Sequence, residues 1–409
     1  MNITLPQSAL KVIEMIEAFD HEAFVVGGFV RDSILGLHPK DCDITTSARP
    51  DVILDIFKDY PCYKTGIKHG TVMIVMDNQP IEITTYRVES QYKDYRHPSE
   101  VTFVLALEDD LARRDFTINA LAYNQRAGLI DHFNGLDDLN KHILRCINDP
   151  SVRFREDPLR IMRALRFSST YQFQIETHTE KALINLFPEL DHIAQERITD
   201  EFLKLLVGEG RDRVIKKYVM IWERLFPEVF TNNDALINNL KNKAFNKAHN
   251  LFVSLSLFLK TEPILSDQAL SVILKRMRLS KDQIKTIVLI NHYSEHKIKD
   301  KPDLKTIMYE TGQTIIMDIL NIQYAQSLIN KKEYQKLQND VLTIIKFNEC
   351  YRFDQLAISG KDIIDHFKIP EKTIKTYLKK TLDEVINDHL DNDFQAQIAY
   401  LESLIKNKE

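Results

Sequence analysis

The apolar pattern of this chain changes once, near residue 150, and this change limits the folds that the chain can adopt. Before that point, short β-type segments alternate with helical segments, and seven of the eleven glycines lie before residue 136. After it, apolar residues recur at helical spacing in long segments that contain only four glycines. The sequence therefore predicts an α+β protein, in which a mixed α/β region with a small sheet and helices precedes an extended all-helical region.

Four segments of the first region predict strands, because they are short, rich in β-branched and aromatic residues, and bounded by turn residues. They are AFVVGG (23–28), CDITT (42–46), TVMIVM (71–76) and PIEITTYR (80–87). The triplet Asp77-Asn78-Gln79 predicts a hairpin turn between the last two. Helical patterns cover 7–19 and 50–58, and we expect Ser47 to cap the second helix and Pro50 to lie in its first turn.

Composition excludes several classes of protein. The formal net charge is -5 and the pI is near 6.3, so no general basic field exists and any nucleic-acid site must be a local patch. Cys42, Cys62, Cys146 and Cys350 lie far apart without a Cys/His cluster, which argues for reduced thiols and against a zinc site. Because no signal-peptide pattern and no run of about 18 apolar residues occur, we expect a cytoplasmic protein with no membrane contact.

A strand that runs directly into two glycines is the first candidate for a binding site. Gly27 and Gly28 end the AFVV segment and precede a predicted helix, FVRDSILG. Glycines at such a turn let backbone amides approach a phosphate group, and Arg31 would add a positive charge. The simpler interpretation, an ordinary tight turn, remains open from this feature alone.

Two aspartates at the start of a β-type segment are the second candidate. Asp41 and Asp43 are two residues apart, so their side chains should share one face, where two carboxylates repel each other unless a cation holds them. Mg²⁺ favours such a pair together with phosphate oxygens and water. Glu82, in PIEITTYR, could join them from a neighbouring strand. Taken singly, each acid is more often a solvated residue than a metal ligand.

The order of these features resembles a known family. The segment GGFVRDSILGLHPKDCDITTSARP resembles the active-site motif of the bacterial class II tRNA nucleotidyltransferases, the CCA-adding enzymes of the polymerase-β-like superfamily. Further segments follow in the family's order over roughly residues 20 to 210: GIKHGTVMIV, TTYRVESQYKDYRHPSEVTFV, RRDFTINALAY, VRFREDPLRIMRALRF and ERITDEFLKLL. The resemblance is weaker after about residue 215.

The resemblance implies a reaction and a domain plan. The reaction is template-independent addition of C, C and A to the 3′ end of tRNA from CTP and ATP, and two Mg²⁺ ions are the expected cofactors. We expect neither membrane binding nor an obligate protein partner. The plan places a catalytic head at 1–148, a neck at 149–210, a body at 211–310 and a tRNA-binding tail at 311–409. No arrangement of Ser, His or Cys predicts a covalent nucleophile.

Selection of C and A is assigned by the resemblance to residues of FREDPLRIMRALRF. Cytosine and adenine both present an amino donor beside a ring acceptor, whereas uracil and guanine present a carbonyl beside an N–H. Asp157 can accept from the amino group and Arg160 can donate to the ring nitrogen, with Glu156 as support. Arg163 and Arg166 follow at helical spacing and are candidates for nucleotide binding. Without the resemblance, these residues would be a surface ladder of ion pairs.

Two further assignments rest on the resemblance. Arg114 and Asp115 are similar to the family's sugar-binding pair, although Asp115 could instead cap a helix that begins at the next residue. The segment RVESQYKDYRHPSEV, with Asp94 and Arg96, resembles the flexible loop needed for the final A addition, and otherwise is simply a loop.

The tail contains a local basic segment, ISGKDIIDHFKIPEKTIKTYLKK. Its candidates for contact with RNA phosphates are Lys361, Lys372, Lys375 and Lys379. Lysine-rich helices are more often simply solvated, so this prediction also depends on the resemblance.

Three other functions stay open from the sequence. An enzyme that adds only A can keep similar motifs, and a poly(A) polymerase shares the head, although GIKHGTVMIV lacks the arginine-rich pattern that such enzymes tend to carry at this point. A catalytically silent RNA-binding protein is disfavoured because Asp41, Asp43, Asp157 and Arg160 are all present. The chain contains no His-Asp dipeptide, so we expect no additional phosphohydrolase activity.

Overall fold

The computed structural model of the protein describes residues 3–39, 41–92, 98–229, 251–260 and 265–406. The chain divides into two units, Met1–Val214 and Ile215–Glu409. In the described residues, every strand lies in the first unit, and the second unit is helical. The α+β prediction is therefore confirmed. No helix in these ranges is both long and apolar enough to cross a membrane.

The strands of the first unit form one large sheet and two small ones. They are β1 (Ala23–Val26), β2 (Ile44–Thr46), β3 (Cys62–Gly66), β4 (Thr71–Met76), β5 (Gln79–Thr85), β6 (Arg87–Tyr92), β7 (Pro98–Phe103), β8 (Leu121–Asn124), β9 (Gly128–Asp131), β10 (Ile143–Leu144) and β11 (Gln174–Ile175). The large sheet has the order β3-β4-β5-β2-β1-β8-β9, while β6 pairs with β7 and β10 with β11. All four residues of β1 are buried, as expected for a strand near the centre of the sheet.

The register of the sheet places two acidic residues side by side. Strand β2 is parallel to β5, with Ile44 opposite Ile83, whereas the other neighbouring pairs in this sheet are antiparallel. The residues one position earlier, Asp43 and Glu82, therefore lie on adjacent segments of chain. Ile81 and Ile83 are buried while Glu82 is exposed, as period-two alternation predicts.

Helices cover the sheet and extend the first unit beyond it. They are α1 (Gln7–Glu17), α2 (Gly28–Ile34), α3 (Pro50–Ile56), α4 (Leu107–Ala112), α5 (Gly135–Asn140), α6 (Pro150–Glu156), α7 (Leu159–Thr170), α8 (Thr177–Leu186), α9 (Gln195–Leu206) and α10 (Arg211–Lys217), which ends beyond Val214. Helix α1 buries Ala9, Val12, Ile13 and Ile16, the spacing of one helical face. Helix α7 packs against α9, and these two helices form one wall of the site described below.

The second unit is built from helices around apolar clusters. They are α11 (Val219–Leu225), α12 (Leu251–Phe258), α13 (Asp267–Arg276), α14 (Lys281–Glu295), α15 (Lys301–Ala325), α16 (Lys331–Lys346), α17 (Gly360–Phe367), α18 (Glu371–Ile386) and α19 (Phe394–Lys406). One cluster joins α15, α16 and α18 through Leu304, Ile319, Leu337 and Leu382. Ser280 and Asn330 begin α14 and α16 with capping boxes, which satisfy the first backbone N–H groups of each helix.

Several local predictions are confirmed and three are wrong. Strand β4 has the predicted bounds, and Asp77 and Asn78 have the positive φ angles of a two-residue hairpin turn. Pro50 is the first residue of α3, but Ser47 does not cap it: because proline fixes the start of the helix, Arg49 becomes the N-cap, and the Ser47 hydroxyl accepts from the Glu22 N–H instead.

The other two wrong predictions concern the ends of a strand and of a helix. The CDITT segment is a strand only from Ile44, so Asp41 and Asp43 lie on the chain that leads into β2. The apolar spacing of KTIMYETGQTIIMDILNIQYAQSLI, which starts at Lys305, predicts one continuous helix, but α15 is interrupted at Gly312, whose φ of 80° is not helical. Glycine adopts this conformation without a Cβ penalty, which is why the break occurs there. The four-part division at 148, 210 and 310 stays a prediction.

Candidate active site

A cavity of about 650 Å³ in the first unit gathers most of the predicted site residues. Ten of them line it: Gly28, Arg31, Asp41, Asp43, Arg114, Asp115, Asp157, Arg160, Arg163 and Arg166. Glu82 and Glu156 are not among the lining residues, but Glu82 is on the strand beside Asp43 and Glu156 pairs with Arg160. The motifs are separated by more than a hundred positions in sequence, so only the fold brings them together.

The glycine turn and Arg31 form one side of the cavity. Gly27 is the N-cap of α2 and has a φ of 67°, so the chain turns there without a side chain in the way. The Arg31 guanidinium donates to Asn119 Oδ1 at 2.5 Å and to Asp32 Oδ1 at 2.8 Å. It also lies 4.7 Å from the centre of the Tyr171 ring. These contacts hold a buried positive charge beside the turn.

We expect Gly27→Ala to impair both stability and activity. The substitution forces an alanine into a positive φ, which costs about 1–2 kcal/mol of the free energy of unfolding, and the new Cβ would lie 2.9 Å from Arg114 Nη1. The matched control is Gly36→Ala, because Gly36 has a φ of 70° with no atom within 4 Å of the new Cβ. Thermal unfolding should show similar losses for the two variants, and nucleotide incorporation should fall only for Gly27→Ala. Equal activities would show that the Arg114 position is unimportant.

Asp41 and Asp43 both line the cavity, at the chain segment that leads into β2. The backbone of Asp43 is tied to the sheet, because its carbonyl accepts from the Val26 N–H at 3.1 Å. Partial burial, the charge of Glu82 and the charge of Asp41 raise the pKa of Asp43, while Arg114 acts in the opposite direction. Burial and the adjacent Asp43 raise the pKa of the Cys42 thiol to about 12, so this thiol is protonated at neutral pH.

This donor set fits a divalent cation that also binds substrate. Asp43 carries a carboxylate whose nearest charged neighbours include two other acids, and a cation would relieve that repulsion. In the part of the chain that the structure describes, no three His, Cys, Asp or Glu side chains are arranged to hold a metal on their own. A hard cation that keeps water and takes phosphate oxygens needs only one or two carboxylates, so Asp41 and Asp43 are sufficient.

Asp110 is a buried carboxylate that fixes the arginines behind this pair. Its Oδ1 accepts from Arg113 Nη2 at 2.8 Å and from the backbone N–H of Arg87, while its Oδ2 accepts from the Thr45 hydroxyl and lies 3.6 Å from Arg114 Nη2. Burial would raise the pKa of Asp110, but Arg113 and Arg114 outweigh it and the pKa is lowered. One side chain thus links β2, the start of β6 and the two arginines of RRDFT.

Asp115 is a second buried carboxylate, and it lines the cavity itself. Its Oδ1 accepts from the Phe116 N–H and from Asn119 Nδ2, each at 2.8 Å, and its Oδ2 accepts from Arg163 Nε at 2.7 Å. The alternative role of Asp115, as the cap of a helix, is not observed, because the element that follows is only a 3₁₀ turn, Thr117–Asn119, whose N-cap is Phe116. Most acceptor positions of the carboxylate are therefore filled by protein donors.

Stability should depend on Asp115 at acidic pH. Burial alone would raise the pKa of Asp115, but Arg163 and the Asn119 hydrogen bond together lower it from 3.8 to about 2. Since the folded-state value is below the unfolded one, the ionised group stabilises the fold by about 2 kcal/mol above pH 4, and this contribution disappears as the pH falls towards 2.

Urea unfolding of the wild type and Asp115→Asn at pH 7, 4 and 3 tests this expectation. The difference in the free energy of unfolding between them should be largest at pH 7 and narrow below pH 4. The exposed Asp59 supplies the control, because Asp59→Asn should leave the free energy of unfolding nearly unchanged across the same range. If the difference in the free energy of unfolding between the wild type and Asp115→Asn stays constant with pH, the lowered pKa of Asp115 does not contribute to stability.

Three guanidinium groups surround one phenylalanine of α7. The Arg166 guanidinium lies 4.0 Å, that of Arg31 5.1 Å and that of Arg163 5.3 Å from the centre of the Phe167 ring. Glu201, on α9, pairs with Arg166 at 2.6 Å and lies 3.8 Å from Arg163. The aromatic ring, Glu201 and the carboxylates that pair with Arg31 and Arg163 allow three like charges to stand close together.

The segment predicted as one continuous helix, FREDPLRIMRALRF, is two helices. Helix α6 ends at Glu156, Asp157 has φ -142° and ψ 98°, and α7 starts at Leu159. Pro158 explains the break, because proline disfavours a helical conformation in the residue before it and cannot donate to the preceding turn. Asp157 and Arg160 both line the cavity, so the break does not separate them from the site.

Asp157 and Arg160 are held by different partners. Asp157 Oδ1 accepts from the Leu159 N–H at 3.1 Å, and its Oδ2 accepts from Arg197 Nη2 at 3.1 Å. Arg160 Nη1 donates to Glu156 Oε2 at 2.9 Å. Glu156 also accepts from Arg153, so it acts behind the cavity as a brace.

Several lining residues were not predicted from the sequence. They are Arg113, Asn119, Leu159, Phe167, Arg197, Glu201 and Lys204. Arg197, Glu201 and Lys204 are spaced i, i+4 and i+7 on α9, which is the signal that one helix face would give. The lining contains eight cationic and five anionic side chains, so the cavity favours an anionic ligand.

The remaining predicted residues lie elsewhere. Asp94 and Arg96 fall outside the described residues. Lys361, on α17, and Lys372 and Lys375, on α18, are exposed. Lys379 is half-buried, pairs with Asp383 and lies 4.9 Å from the Tyr309 ring centre, so its ammonium group already has partners within the second unit.

Comparisons with known proteins cover both units of the chain. Residues 23–145 match a model of the poly A polymerase head domain, 172–231 match a probable RNA- and SrmB-binding site of polymerase A, and 245–401 match tRNA nucleotidyltransferase domain 2. The CCA-adding enzyme of Lactobacillus helveticus is 34% identical over 97% of this chain and 96% of its own length. That of Ligilactobacillus salivarius is 34% identical over 98% of this chain and 97% of its own.

A solved structure shows the same fold over the whole length. The Bacillus stearothermophilus CCA-adding enzyme in complex with CTP superposes with a TM-score of 0.78, at 26% identity, over 99% of both chains. The relatives extend over both units, including the part after residue 215 where the motifs are weak. The chain belongs to the family of CCA-adding enzymes, the tRNA nucleotidyltransferases.

Proposed function

We propose that this protein adds C, C and A in order to the 3′ end of tRNA, using CTP and ATP without a nucleic-acid template and releasing pyrophosphate. The reaction matures or repairs the tRNA 3′ terminus. The observation that carries the proposal is the single cavity that brings Asp41 and Asp43 together with Asp157 and Arg160 inside a wall of arginines.

The acidic side of the cavity is the proposed reaction centre. Nucleotidyltransferases of this family use divalent metal ions, and we propose Mg²⁺ held by Asp41 and Asp43, with Glu82 adding negative charge from the neighbouring strand. When bound, the metal would favour the ionised primer hydroxyl and neutralise charge on the triphosphate. Attack of the 3′ oxygen on the α-phosphorus forms the new ester bond as the bond to pyrophosphate breaks.

The basic side is the proposed triphosphate and sugar site. Arg31, Arg163 and Arg166 stand around Phe167 and can bind phosphate oxygens, while Gly28 leaves room for phosphate to approach the backbone. We keep Arg114 and Asp115 as the proposed sugar-binding pair. Because Arg163 already occupies one oxygen of Asp115, contact with a ribose hydroxyl would require the two to share that oxygen or Arg163 to turn towards phosphate.

Base selection is the proposed role of Asp157 and Arg160. An ionised carboxylate only accepts hydrogen bonds and a guanidinium only donates them, so the pair matches the amino group and ring nitrogen of cytosine or adenine. With uracil or guanine, a carbonyl would face the carboxylate and an N–H would face the guanidinium. Such unpaired polar groups in a site cost more than a missing apolar contact, which is the basis of the discrimination.

The decisive assay uses purified protein, Mg²⁺ and a tRNA transcript that lacks its last three nucleotides. Each nucleoside triphosphate is supplied alone, then CTP with ATP, and the products are sequenced. We expect CC from CTP alone and CCA from the two together. No addition to this transcript, but addition of A to a tRNA ending in CC, would select the A-adding enzyme. Long A tails would select a poly(A) polymerase, and no product at all would select the RNA-binding protein.

Exposed lysines of the second unit are the proposed contacts with tRNA phosphates. We expect the triple change of Lys361, Lys372 and Lys375 to glutamate to raise the KM for tRNA and leave the KM for CTP unchanged. The slope of log affinity for tRNA against log salt concentration should become shallower by an amount equivalent to up to about three phosphate contacts. Filter binding at several salt concentrations measures this slope. A control triple at other exposed lysines of this unit, Lys281, Lys285 and Lys336, should have a smaller effect. Equal increases in the KM for tRNA in the two triple variants would mean that the net charge of the unit, and not a defined lysine surface, determines tRNA binding.

A further inference from the structure

The Asp157 carboxylate is placed by tertiary contacts rather than by a helix. Asp157 lies between α6 and α7 with extended backbone angles, so helical geometry does not fix its side chain. Two donors reach its two oxygens: the Leu159 N–H reaches Oδ1 and Arg197 Nη2 reaches Oδ2, both at 3.1 Å. The first contact comes from the next turn of the chain, and the second comes from α9, forty residues further along.

We propose that Arg197 is a positioning residue for nucleotide selection, an inference that rests on the proposed function because it assigns the support of the base-reading carboxylate. A guanidinium offers only donors, so it pairs with Asp157 only when a carboxylate oxygen faces it. Together with the Leu159 N–H, it fixes the rotation of the carboxylate. These two donors use two of about four acceptor positions, which leaves positions for the amino group of a base.

The other half of the reading pair does not depend on Arg197. Arg160 donates to Glu156 Oε2 at 2.9 Å and to the Arg153 carbonyl at 3.2 Å, both on α6. Asp41 and Asp43 lie on the chain before β2, and the structure places neither in contact with Arg197. Removing the Arg197 guanidinium therefore frees the Asp157 carboxylate to rotate while the proposed reaction centre keeps its supports. Discrimination should fall more than the rate of the chemical step.

The experiment compares Arg197→Met with Arg197→Lys. Methionine has similar length but no donor, and lysine keeps a donor with different geometry. For each variant, kcat/KM is measured for CTP and UTP with a tRNA lacking CCA, and for ATP and GTP with a tRNA ending in CC. We expect Arg197→Met to lower the CTP/UTP and ATP/GTP ratios at least about tenfold, the loss typical of a charged hydrogen bond. Arg197→Lys should give intermediate ratios. The matched control is Arg155→Met, an exposed arginine of α6 outside the cavity, which should keep wild-type ratios.

A merely structural role for Arg197 predicts a different outcome. Equal losses with all four nucleotides, so that both ratios stay at the wild-type value, would overturn the proposal. A double-mutant cycle separates an effect on selection from a general loss of folded protein. In an Asp157→Ala background, Arg197→Met should leave the CTP/UTP and ATP/GTP ratios unchanged. A further fall of these ratios, similar in size to that in the wild-type background, would overturn the proposal as well. If the wild type adds neither C nor A, the proposed function itself fails, which these ratios do not test.

Discussion

Replacing Asp43 by asparagine is expected to abolish incorporation of every nucleotide, with a loss of at least about a thousandfold in single-turnover rate. The change removes one of the two carboxylates proposed to hold the metal, but keeps the size of the side chain and the backbone bond between the Asp43 carbonyl and the Val26 N–H. Because the pKa of Asp43 is raised by burial and then by Glu82 and Asp41, removing its charge relieves repulsion in the folded protein. Stability should therefore stay the same or increase while activity is lost, and Asp41→Asn should behave similarly.

The measurement is primer extension with CTP or ATP over a range of Mg²⁺ concentrations, beside thermal unfolding. Asp59→Asn is the control, since Asp59 is exposed and lies outside the cavity lining. Activity of Asp43→Asn that recovers at high Mg²⁺ would still support a metal ligand. Activity near the wild-type level at all Mg²⁺ concentrations would refute the assignment of these carboxylates to the reaction centre.

The double change Asp157→Ala with Arg160→Ala should relax the choice of nucleotide. Without the accepting carboxylate and the donating guanidinium, the site no longer distinguishes an amino group from a carbonyl, so we expect the CTP/UTP ratio of kcat/KM to fall by at least about a hundredfold. Metal-dependent incorporation should remain detectable, because the proposed reaction centre is carried by the chain before β2. The measurement is competition between labelled CTP and UTP, and between ATP and GTP, on defined tRNA ends.

The control for this variant removes a carboxylate and a guanidinium outside the cavity. Asp200 and Arg155 are exposed and are not lining residues, so Asp200→Ala with Arg155→Ala should keep the wild-type ratios. If the ratios of the Asp157/Arg160 variant also remain unchanged, base selection does not reside in this pair. A loss of all incorporation with folding intact would mean that the pair contributes to binding or chemistry instead of selection.

Much of the fold is local and follows from the sequence pattern. The alternation in TVMIVM identified β4 with its correct bounds, and the Asp77-Asn78 turn identified the hairpin, because both depend on side-chain periodicity and local backbone preference. The errors also have local causes. Pro158 and Gly312 interrupt helical patterns, and the apolar spacing continues across each interruption, so periodicity alone does not detect it.

Some residues of the candidate site could likewise be predicted from the sequence, and others could not. Asp41, Asp43, Asp157 and Arg160 were identified from the sequence because their residue types and spacing carry chemistry and because they stand in motifs that resemble a family. Asp110 was not identified: an acid in a short helix looks like a solvated residue until Thr45, Arg87, Arg113 and Arg114 are seen around it.

The sequence by itself determined the class of fold and indicated the family and the residues that we propose carry the chemistry, because periodicity and motif spacing are properties of neighbouring positions. Only the tertiary structure decided which charges face one another: that Glu82 lies beside Asp43, that Asp115 holds Arg163, and that Arg197 holds Asp157. The physical reason is that an ion pair depends on a separation of about 3 Å between atoms whose residues lie tens of positions apart in the sequence. Strand register and the packing of α7 against α9 set that separation, and no local pattern encodes it.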